Sequence, residues 1–171
     1  FLLFINRKIA ALQLATLDDL TLISNRRGFT ALAKHSLNVC RRKGLSASIL
    51  LFDLNKFKPI NDQFGHAEGD RALIVFANFL RKVFRDSDVF GRLGGDEFAV
   101  LMMDVDAENT QRVIQRFDNE VTNYNQEAAR GYDIEYSVGF VNSLVEKDID
   151  VNVFLAAADK KMYAEKGNKV R

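Results

Sequence analysis

Residues 89–103, VFGRLGGDEFAVLMM, contain the pattern that decides the fold. Two runs rich in β-branched and apolar residues, 89–93 and 97–103, flank Gly94-Gly95, and a glycine pair suits the positive φ angles of a two-residue turn. The segment is therefore predicted to form a β-hairpin. Because successive side chains of a strand alternate faces, we expect Asp96 and Glu97 near its tip to point in opposite directions.

A second strand is predicted at residues 47–52, ASILLF, whose continuous apolar character is typical of a strand buried on both faces. Asn25 is expected to cap a helix that ends near Gly44. The periodicity predicts further helices over about 69–84, from near Asp106 to Ala128, and from Val151 toward Gly167, and a strand over 132–141. The predicted fold class is α/β (α+β), a central sheet of mixed direction flanked by helices, rather than a parallel doubly wound sheet.

The composition is that of one compact domain with a short extension. The chain has 171 residues, 47% hydrophobic and 27% charged, with a formal net charge of +1. No run of five like charges occurs, which argues against a DNA, RNA or membrane-surface binder. The single Cys40 allows no intramolecular disulfide and fits no zinc spacing, so we interpret it as a core thiol of a protein in a reducing compartment.

The first residues form an apolar seam of helical spacing, at Leu2, Ile5, Ile9 and Leu12. We predict an N-terminal signalling or linker helix over 1–16 and a main domain over 17–171. The seam could pack on its own domain or pair two subunits. The apolar start is too short to span a bilayer, which needs about 18 or more apolar residues, so a cytoplasmic domain is expected. Tethering to the inner membrane through a segment before residue 1 stays open.

Acidic residues follow the predicted strands. Asp53 lies where the chain leaves the buried strand and Asp96 lies at the hairpin tip, and two such carboxylates in a confined site would repel each other without a proton or a cation. Oxygen ligands suit Mg²⁺. The alternative is that Asp53 caps the following turn and that Asp96 and Glu97 are solvated, which is the commoner situation for isolated acids.

The hairpin segment Arg92 to Phe98, RLGGDEF, resembles the signature of GGDEF-domain diguanylate cyclases. Residues 52–62, FDLNKFKPIND, with 64–66, FGH, and 69–70, GD, resemble the first-strand segment of that family in order and spacing. The resemblance extends to DDLT at 18–21, NRR at 25–27, SVG at 137–139, AD at 158–159, MY at 162–163 and Lys166. It covers nearly everything after Ala15 and implies that 17–171 is a GGDEF catalytic domain with a palm-like fold shared with nucleotidyl cyclases and polymerases.

The resemblance implies an activity and a set of roles. Two GTP molecules would be condensed into the bacterial second messenger cyclic di-GMP with release of two pyrophosphates. Asp53, Asp96 and the backbone carbonyl of Leu54 would hold Mg²⁺, with Mn²⁺ as the alternative ion. Asn61 and Asp70 would recognise guanine, since a carboxylate accepts hydrogen bonds from the guanine N1 and amino groups and adenine lacks that donor pair. Asp70 therefore argues against relaxed base choice.

Further residues complete the implied nucleotide site. Lys58 and Lys166 would contact the phosphates, and Gly94 and Gly95 would let them approach the backbone closely. His66 would lie beside the nucleotide. Asp96 and Glu97 are both candidates for the general base, and the sequence ranks neither. Because each domain would bind one GTP, catalysis would require a homodimer.

Outside this site, Arg85-Asp86-Ser87-Asp88 matches the arginine-x-x-aspartate inhibitory motif of the family. The resemblance implies product inhibition by cyclic di-GMP at Arg85 and Asp88, with Arg116 as a further ligand. The alternative is a surface turn after a helix.

Three positions depart from the common pattern of the family. Asn55 replaces a frequent aspartate, Leu22 replaces a frequent glycine, and the tail leaves open whether Lys169 or Arg171 joins Lys166. An upstream sensor domain is expected in the full-length protein. The alternative function is a catalytically silent module that binds GTP or cyclic di-GMP, against which the intact acidic and glycine positions argue.

Overall fold

The computed structural model describes residues 2–145 and 149–168. The helices are α1 Leu2–Thr16, α2 Arg26–Lys43, α3 Phe57–Phe64, α4 His66–Val83, α5 Ala107–Ala128 and α6 Val151–Asn168. The strands are β1 Ser46–Asn55, β2 Val89–Gly94, β3 Glu97–Met103 and β4 Glu135–Leu144.

The strands form one sheet in the order β2-β3-β1-β4. In the described chain every pairing in this sheet is antiparallel, so the fold class is confirmed but the expected mixture of strand directions is not seen. The helices that separate β1 from β2 return the chain so that β3 runs antiparallel beside β1. Asp53 of β1 is paired with Glu97 of β3 on one side and with Ser137 of β4 on the other.

Both faces of the sheet are covered, as the continuous apolar run in β1 predicted. Even-numbered residues of β1, such as Phe52, face α4 and α5, while odd-numbered ones, such as Leu51, face α2 and α6. The α4/α5 core is aromatic, with fully buried rings at Phe52, Phe76, Phe98 and Phe117. Burying each such side chain contributes about 1.5–3 kcal/mol, so the sheet is fixed firmly between its two helical layers.

The helix ends follow the local signals in the sequence. The Asn25 side chain accepts a hydrogen bond from Gly28 N at 2.9 Å, and Gly44 ends α2 in the left-handed conformation at φ 65°. Asp106 caps α5 by accepting from Asn109 N at 2.7 Å. Each of these residues satisfies backbone groups that a helix end leaves without an intrahelical partner.

Several boundaries differ from the sequence expectations. Strand β1 continues to Asn55, so Asp53 lies within the strand rather than where the chain leaves it. The turn consists of Gly95-Asp96 rather than Gly94-Gly95, because an irregularity between Arg92 and Gly94 extends β2 by one residue. Helix α4 begins at His66, directly after α3. Strand β4 begins only at Glu135, because the Asn125 side chain hydrogen-bonds both backbone groups of Ile134 and keeps that residue on α5.

Helix α1 presents its apolar residues to solvent. Leu2 is 74% exposed, Ile9 50% and Leu12 66%, so the seam is not packed on its own domain, and pairing of two subunits stays a prediction. The end of α1 is fixed by Asn25, whose Nδ2 donates to the carbonyl of Ala15 and to that of Leu17, the residue after the helix. Among the described helices, none has the length and apolar character needed to cross a membrane.

Candidate nucleotide site

Asp53 and Glu97 lie side by side at one end of the sheet. They are directly opposite each other in the pairing of β1 with β3. Leu51 and Ala99, two residues further along each strand, belong to the core under α2 and α6, so both carboxylates point to that face. Of the two hairpin acids, Glu97 is therefore the one that shares a face with Asp53.

Asp96 occupies the second position of the turn and contacts β1 through its backbone. Leu54 N donates a hydrogen bond to the Asp96 carbonyl at 3.1 Å, which holds the turn against the segment Asp53-Leu54. Asp96 is half-buried, as are Asp53 and Glu97. The structure thus brings the predicted metal and catalytic acids to one place.

The electrostatics of this cluster are unfavourable for negative charge. Burial raises the pKa of Glu97, and the charges of Asp53, Asp96 and Asp159 raise it further, against the opposing effect of Arg26. Asp159 of α6 was not predicted as a site residue, although the quoted Ala158-Asp159 pair contained the signal. A divalent cation would relieve the repulsion between these carboxylates.

The donors at this end of the sheet fit a Mg²⁺ ion that is bound together with a nucleotide. Among residues 2–145 and 149–168, no three Asp, Glu, His or Cys side chains are grouped so that they could hold a metal ion. Mg²⁺ is commonly bound by one or two carboxylates together with water and substrate phosphates. The donors Asp53, Asp96 and the Leu54 carbonyl match that pattern.

Asn61 of α3 and Asp70 of α4 lie on the two helices that form one corner of the molecule. Gly65 N donates to the Asn61 carbonyl at 2.9 Å and ends α3. A Cβ on Gly69 would lie 1.8 Å from Asn61 Oδ1, so only glycine lets the Asn61 amide lie against α4. Asp70 is the next residue and is exposed, and His66 is the exposed first residue of α4. The predicted base-recognition residues therefore share one corner.

The predicted phosphate ligands are placed less closely. Lys58 Nζ forms an exposed ion pair with Asp62 at 3.0 Å, one helical turn further along α3. Such exposed pairs contribute about 0–1 kcal/mol, so Lys58 can exchange this partner for a phosphate. Gly94 and Gly95 are exposed at the turn. The Lys166 side chain, Lys169 and Arg171 lie outside the described part of the chain.

A set of contacts that the sequence analysis missed holds the hairpin. Arg92 Nε donates to the Gly95 carbonyl at 2.9 Å, and Arg92 Nη1 contacts both carboxylate oxygens of Asp18 at 3.2 and 3.3 Å. Burial alone would raise the pKa of Asp18, but hydrogen bonds from Thr21 and the nearby Arg92 outweigh it and the pKa is lowered. Arg26 Nε donates to the Leu93 carbonyl at 3.1 Å. The quoted segments 18–21 and 25–27 thus meet the hairpin.

The predicted inhibitory residues line one pocket, which lies at the opposite end of β3 from Glu97. It measures about 330 Å³ and brings Arg85 and Asp88 together with Arg116 of α5. Asp88 Oδ2 accepts from Arg85 N at 2.9 Å, and burial raises the pKa of Asp88 against the opposing charges of Arg85 and Arg116. Arg112 lines the same pocket and was missed, although it lies one helical turn from Arg116.

Comparison of the sequence with known protein families identifies the family of this chain. The family described as "Diguanylate cyclase, GGDEF domain" matches residues 15–171. The chain belongs to this family.

Curated proteins with similar sequences include proteins named as diguanylate cyclases. The chain is 41% identical over 96 residues to "Probable diguanylate cyclase DgcC" of Escherichia coli K12, covering 56% of this chain and 26% of that protein. It is 31% identical over 150 residues to "Diguanylate cyclase DosC" of the same strain, covering 88% and 33%. The chain thus spans a quarter to a third of these two proteins. An uncharacterized 19.3 kDa protein of Streptomyces ambofaciens is 38% identical over 168 residues, covering 98% and 85%.

Solved structures share the fold. The coiled coil and GGDEF domain of DgcB from Caulobacter crescentus, in complex with c-di-GMP, matches with a TM-score of 0.87 at 22% identity, over 96% of this chain and 87% of that one. That likeness shows the fold alone. Diguanylate cyclase SiaD of Pseudomonas aeruginosa, in complex with its activator SiaC, matches with a TM-score of 0.82 at 25% identity, over 97% and 64%.

Proposed function

We propose that this chain is the catalytic module of a diguanylate cyclase, which condenses two GTP molecules into cyclic di-GMP and releases two pyrophosphates. The observation that carries the proposal is the position of Asp53, Asp96 and Glu97 at one end of the sheet. Curated relatives named as diguanylate cyclases support it.

Mg²⁺, or Mn²⁺ in its place, would be held by Asp53, Asp96 and the Leu54 carbonyl. When bound, such an ion lowers the pKa of the attacking ribose 3′-hydroxyl and neutralises phosphate charge. Asp96 or Glu97 would accept the hydroxyl proton. Both acids are candidates for that role, and the register places Glu97 beside Asp53.

The remaining residues would bind and orient GTP. Asp70 would accept from the guanine N1 and amino groups, with Asn61 beside it and His66 near the nucleotide. Lys58 and Lys166 would stabilise the charge on the α-phosphate and the leaving pyrophosphate, with Gly94 and Gly95 allowing close approach.

Both phosphodiester bonds would form between two copies of the domain, each with one GTP. The exposed apolar residues of α1 support a role of that helix in pairing the copies. Under this proposal residues 1–16 belong to a signalling helix, residues 17–171 to the catalytic domain, and a sensor domain precedes the chain in the full-length protein. The domain would act in the cytoplasm, where GTP is supplied.

The proposal is tested by incubating concentrated protein with GTP and Mg²⁺ and measuring cyclic di-GMP and pyrophosphate. Asp96→Asn should lower turnover by about 100-fold or more. The control Asp19→Asn, an exposed acid with the same change of charge, should stay near the parent. Specific activity should rise with protein concentration, since two copies are required. GTP binding without product in the parent would instead identify a silent module.

We further propose that cyclic di-GMP inhibits the enzyme at the pocket of Arg85, Asp88, Arg112 and Arg116. Three guanidinium groups around one pocket suit bidentate contacts to phosphate and to guanine edges. Arg85→Ala and Asp88→Asn should lose inhibition by added cyclic di-GMP, while Asp86→Asn, an exposed acid of the same turn, should keep it. Equal inhibition of Arg85→Ala and the parent would show that the product binds elsewhere.

A further inference from the structure

A cluster of side chains lies behind the corner that carries Asn61 and Asp70. Glu68, in the first turn of α4, receives Arg130 Nη1 on both carboxylate oxygens at 3.1 Å and Tyr132 Oη on Oε2 at 2.9 Å. Arg130 and Tyr132 belong to the segment between α5 and β4. The first turn of α4 is therefore attached to a segment that contains none of the proposed nucleotide ligands.

The same segment contacts the end of α3. The rings of Phe64 and Tyr132 lie with their centroids 5.0 Å apart. A Cβ on Gly131 would lie 3.2 Å from the Phe64 ring, so this side of the ring is covered by backbone. Both helices that form the corner are thus held by residues 130–132, one through charge and one through aromatic packing.

Residues 130–132 are themselves firmly anchored. The Asn125 side chain donates to the Ile134 carbonyl at 3.0 Å and accepts from Ile134 N at 2.9 Å. The Ile134 side chain is buried in the aromatic core. The segment is therefore tied to α5 at a point two residues beyond Tyr132, and it provides a fixed support for the corner.

The pKa shifts of Glu68 and Tyr132 favour these contacts between α4 and residues 130–132, which we call the clamp. The hydrogen bond from Tyr132 lowers the pKa of Glu68, so its carboxylate stays ionised and attractive to Arg130. Burial, together with the bond to Glu68, raises the pKa of Tyr132 to about 12, so the phenol remains a donor across the physiological range. Arg71 adds a longer contact to Glu68 at 3.6 Å.

We infer that Arg130 and Tyr132 are positioning residues for guanine recognition, which fix the angle between α3 and α4 and so the spacing of Asn61 and Asp70. This inference rests on the proposed function. Displacing a substrate-positioning group by about 1 Å can lower the reaction rate by about 10²-fold. Loosening the corner should weaken the contacts to the base and leave those to the triphosphate unchanged.

The test compares binding of non-reactive α,β-methylene analogues of GTP and ITP by calorimetry in the presence of Mg²⁺. Inosine lacks the exocyclic amino group, so its binding depends less on the spacing of Asn61 and Asp70. Arg130→Ala and Tyr132→Phe should each weaken binding of the GTP analogue by about tenfold. Binding of the ITP analogue should change less than about threefold, so that the preference for guanine falls.

Tyr163→Phe is the matched control for Tyr132→Phe, because it removes the same hydroxyl from a ring that is 70% exposed. Thermal melting verifies that each variant is folded, and Tyr132→Phe keeps the ring that packs on Phe64. Unchanged guanine preference in both variants, with a parent that prefers GTP, would overturn the clamp and leave the proposed function standing. A parent that binds both analogues equally or not at all would overturn guanine recognition at this corner and the clamp with it.

Discussion

Replacing Asp18 by Asn removes the charge that holds Arg92 against the turn carrying Asp96. The Asp18 carboxylate accepts hydrogen bonds from Thr21 N at 2.9 Å and Thr21 Oγ1 at 2.6 Å, besides the two Arg92 contacts. The Asp18 and Arg92 side chains are only 19% and 15% exposed, so solvent screens this ion pair little. The pair differs in this respect from the exposed ion pairs elsewhere on the molecule.

The magnitude follows from the bonds that are lost. Hydrogen bonds to a charged group contribute about 1.5–3 kcal/mol, and Asn keeps one neutral acceptor for Thr21. We expect the free energy of unfolding to fall by about 2 kcal/mol, which for a domain of this size lowers Tm by about 4–8 °C. The proposed cyclase activity should fall as well, because Arg92 also holds the carbonyl of Gly95, the residue before Asp96.

Thermal melting at pH 7 of the parent, Asp18→Asn and the exposed control Asp19→Asn measures this effect. Because the pKa of Asp18 is lowered in the folded protein, its contribution is present above the unfolded-state pKa of about 3.9 and is lost as the pH falls through the folded value. The stability difference between parent and Asp18→Asn should therefore shrink below about pH 4. If Asp18→Asn melts within 1 °C of Asp19→Asn, the ion pair does not stabilise the hairpin.

Three other substitutions or reactions test the packing. Gly139→Ala should lower the free energy of unfolding in urea by about 2 kcal/mol, because the new Cβ would lie 2.3 Å from the Ala158 carbonyl and from Met162 N of α6. A decrease below about 0.5 kcal/mol would contradict that close approach. Leu22→Gly should raise the free energy of unfolding by about 0.5 kcal/mol in the same assay. Leu22 has a φ of 60°, which is strained for a non-glycine residue, and its side chain is 65% exposed and so buries little apolar surface. A lower free energy of unfolding in the variant would contradict this account. Cys40 is fully buried and burial raises the pKa of its thiol, so iodoacetamide should modify it about 100-fold more slowly in the native protein than in urea. Equal modification rates in the two conditions would contradict the burial of this side chain.

The sequence predicted those parts of the fold that depend on local signals. The caps at Asn25 and Asp106 and the termination at Gly44 each involve one side chain or one φ angle within a few residues of the helix end. The hairpin was located to within one residue, and the error at Gly94 came from an irregularity in β2 that no local pattern marks.

What depends on pairing between distant segments could not be predicted. Alternation along a strand indicates that Asp96 and Glu97 diverge, but which of them shares a face with Asp53 is set by the register between β3 and β1. Arg112 lies in the pocket of Arg85 and Asp88, and Asp159 lies near Glu97, because α5 and α6 pack on the sheet. Such contacts arise between elements far apart in the chain, where spacing in the sequence carries no distance information.

The junction between α1 and the sheet has a practical consequence for building chimeric sensors. Ser24 forms isolated β-bridges with both Leu17 and Gly91, and a Cβ on Gly28 would clash with the Thr16 carbonyl. Residues 15–25 therefore form a rigid connection rather than a flexible linker. A foreign input helix should therefore be spliced upstream of Ala15, where only its rotational phase needs to match. Cuts inside residues 15–25 would detach the incoming helix from the strand that leads to the turn carrying Asp96.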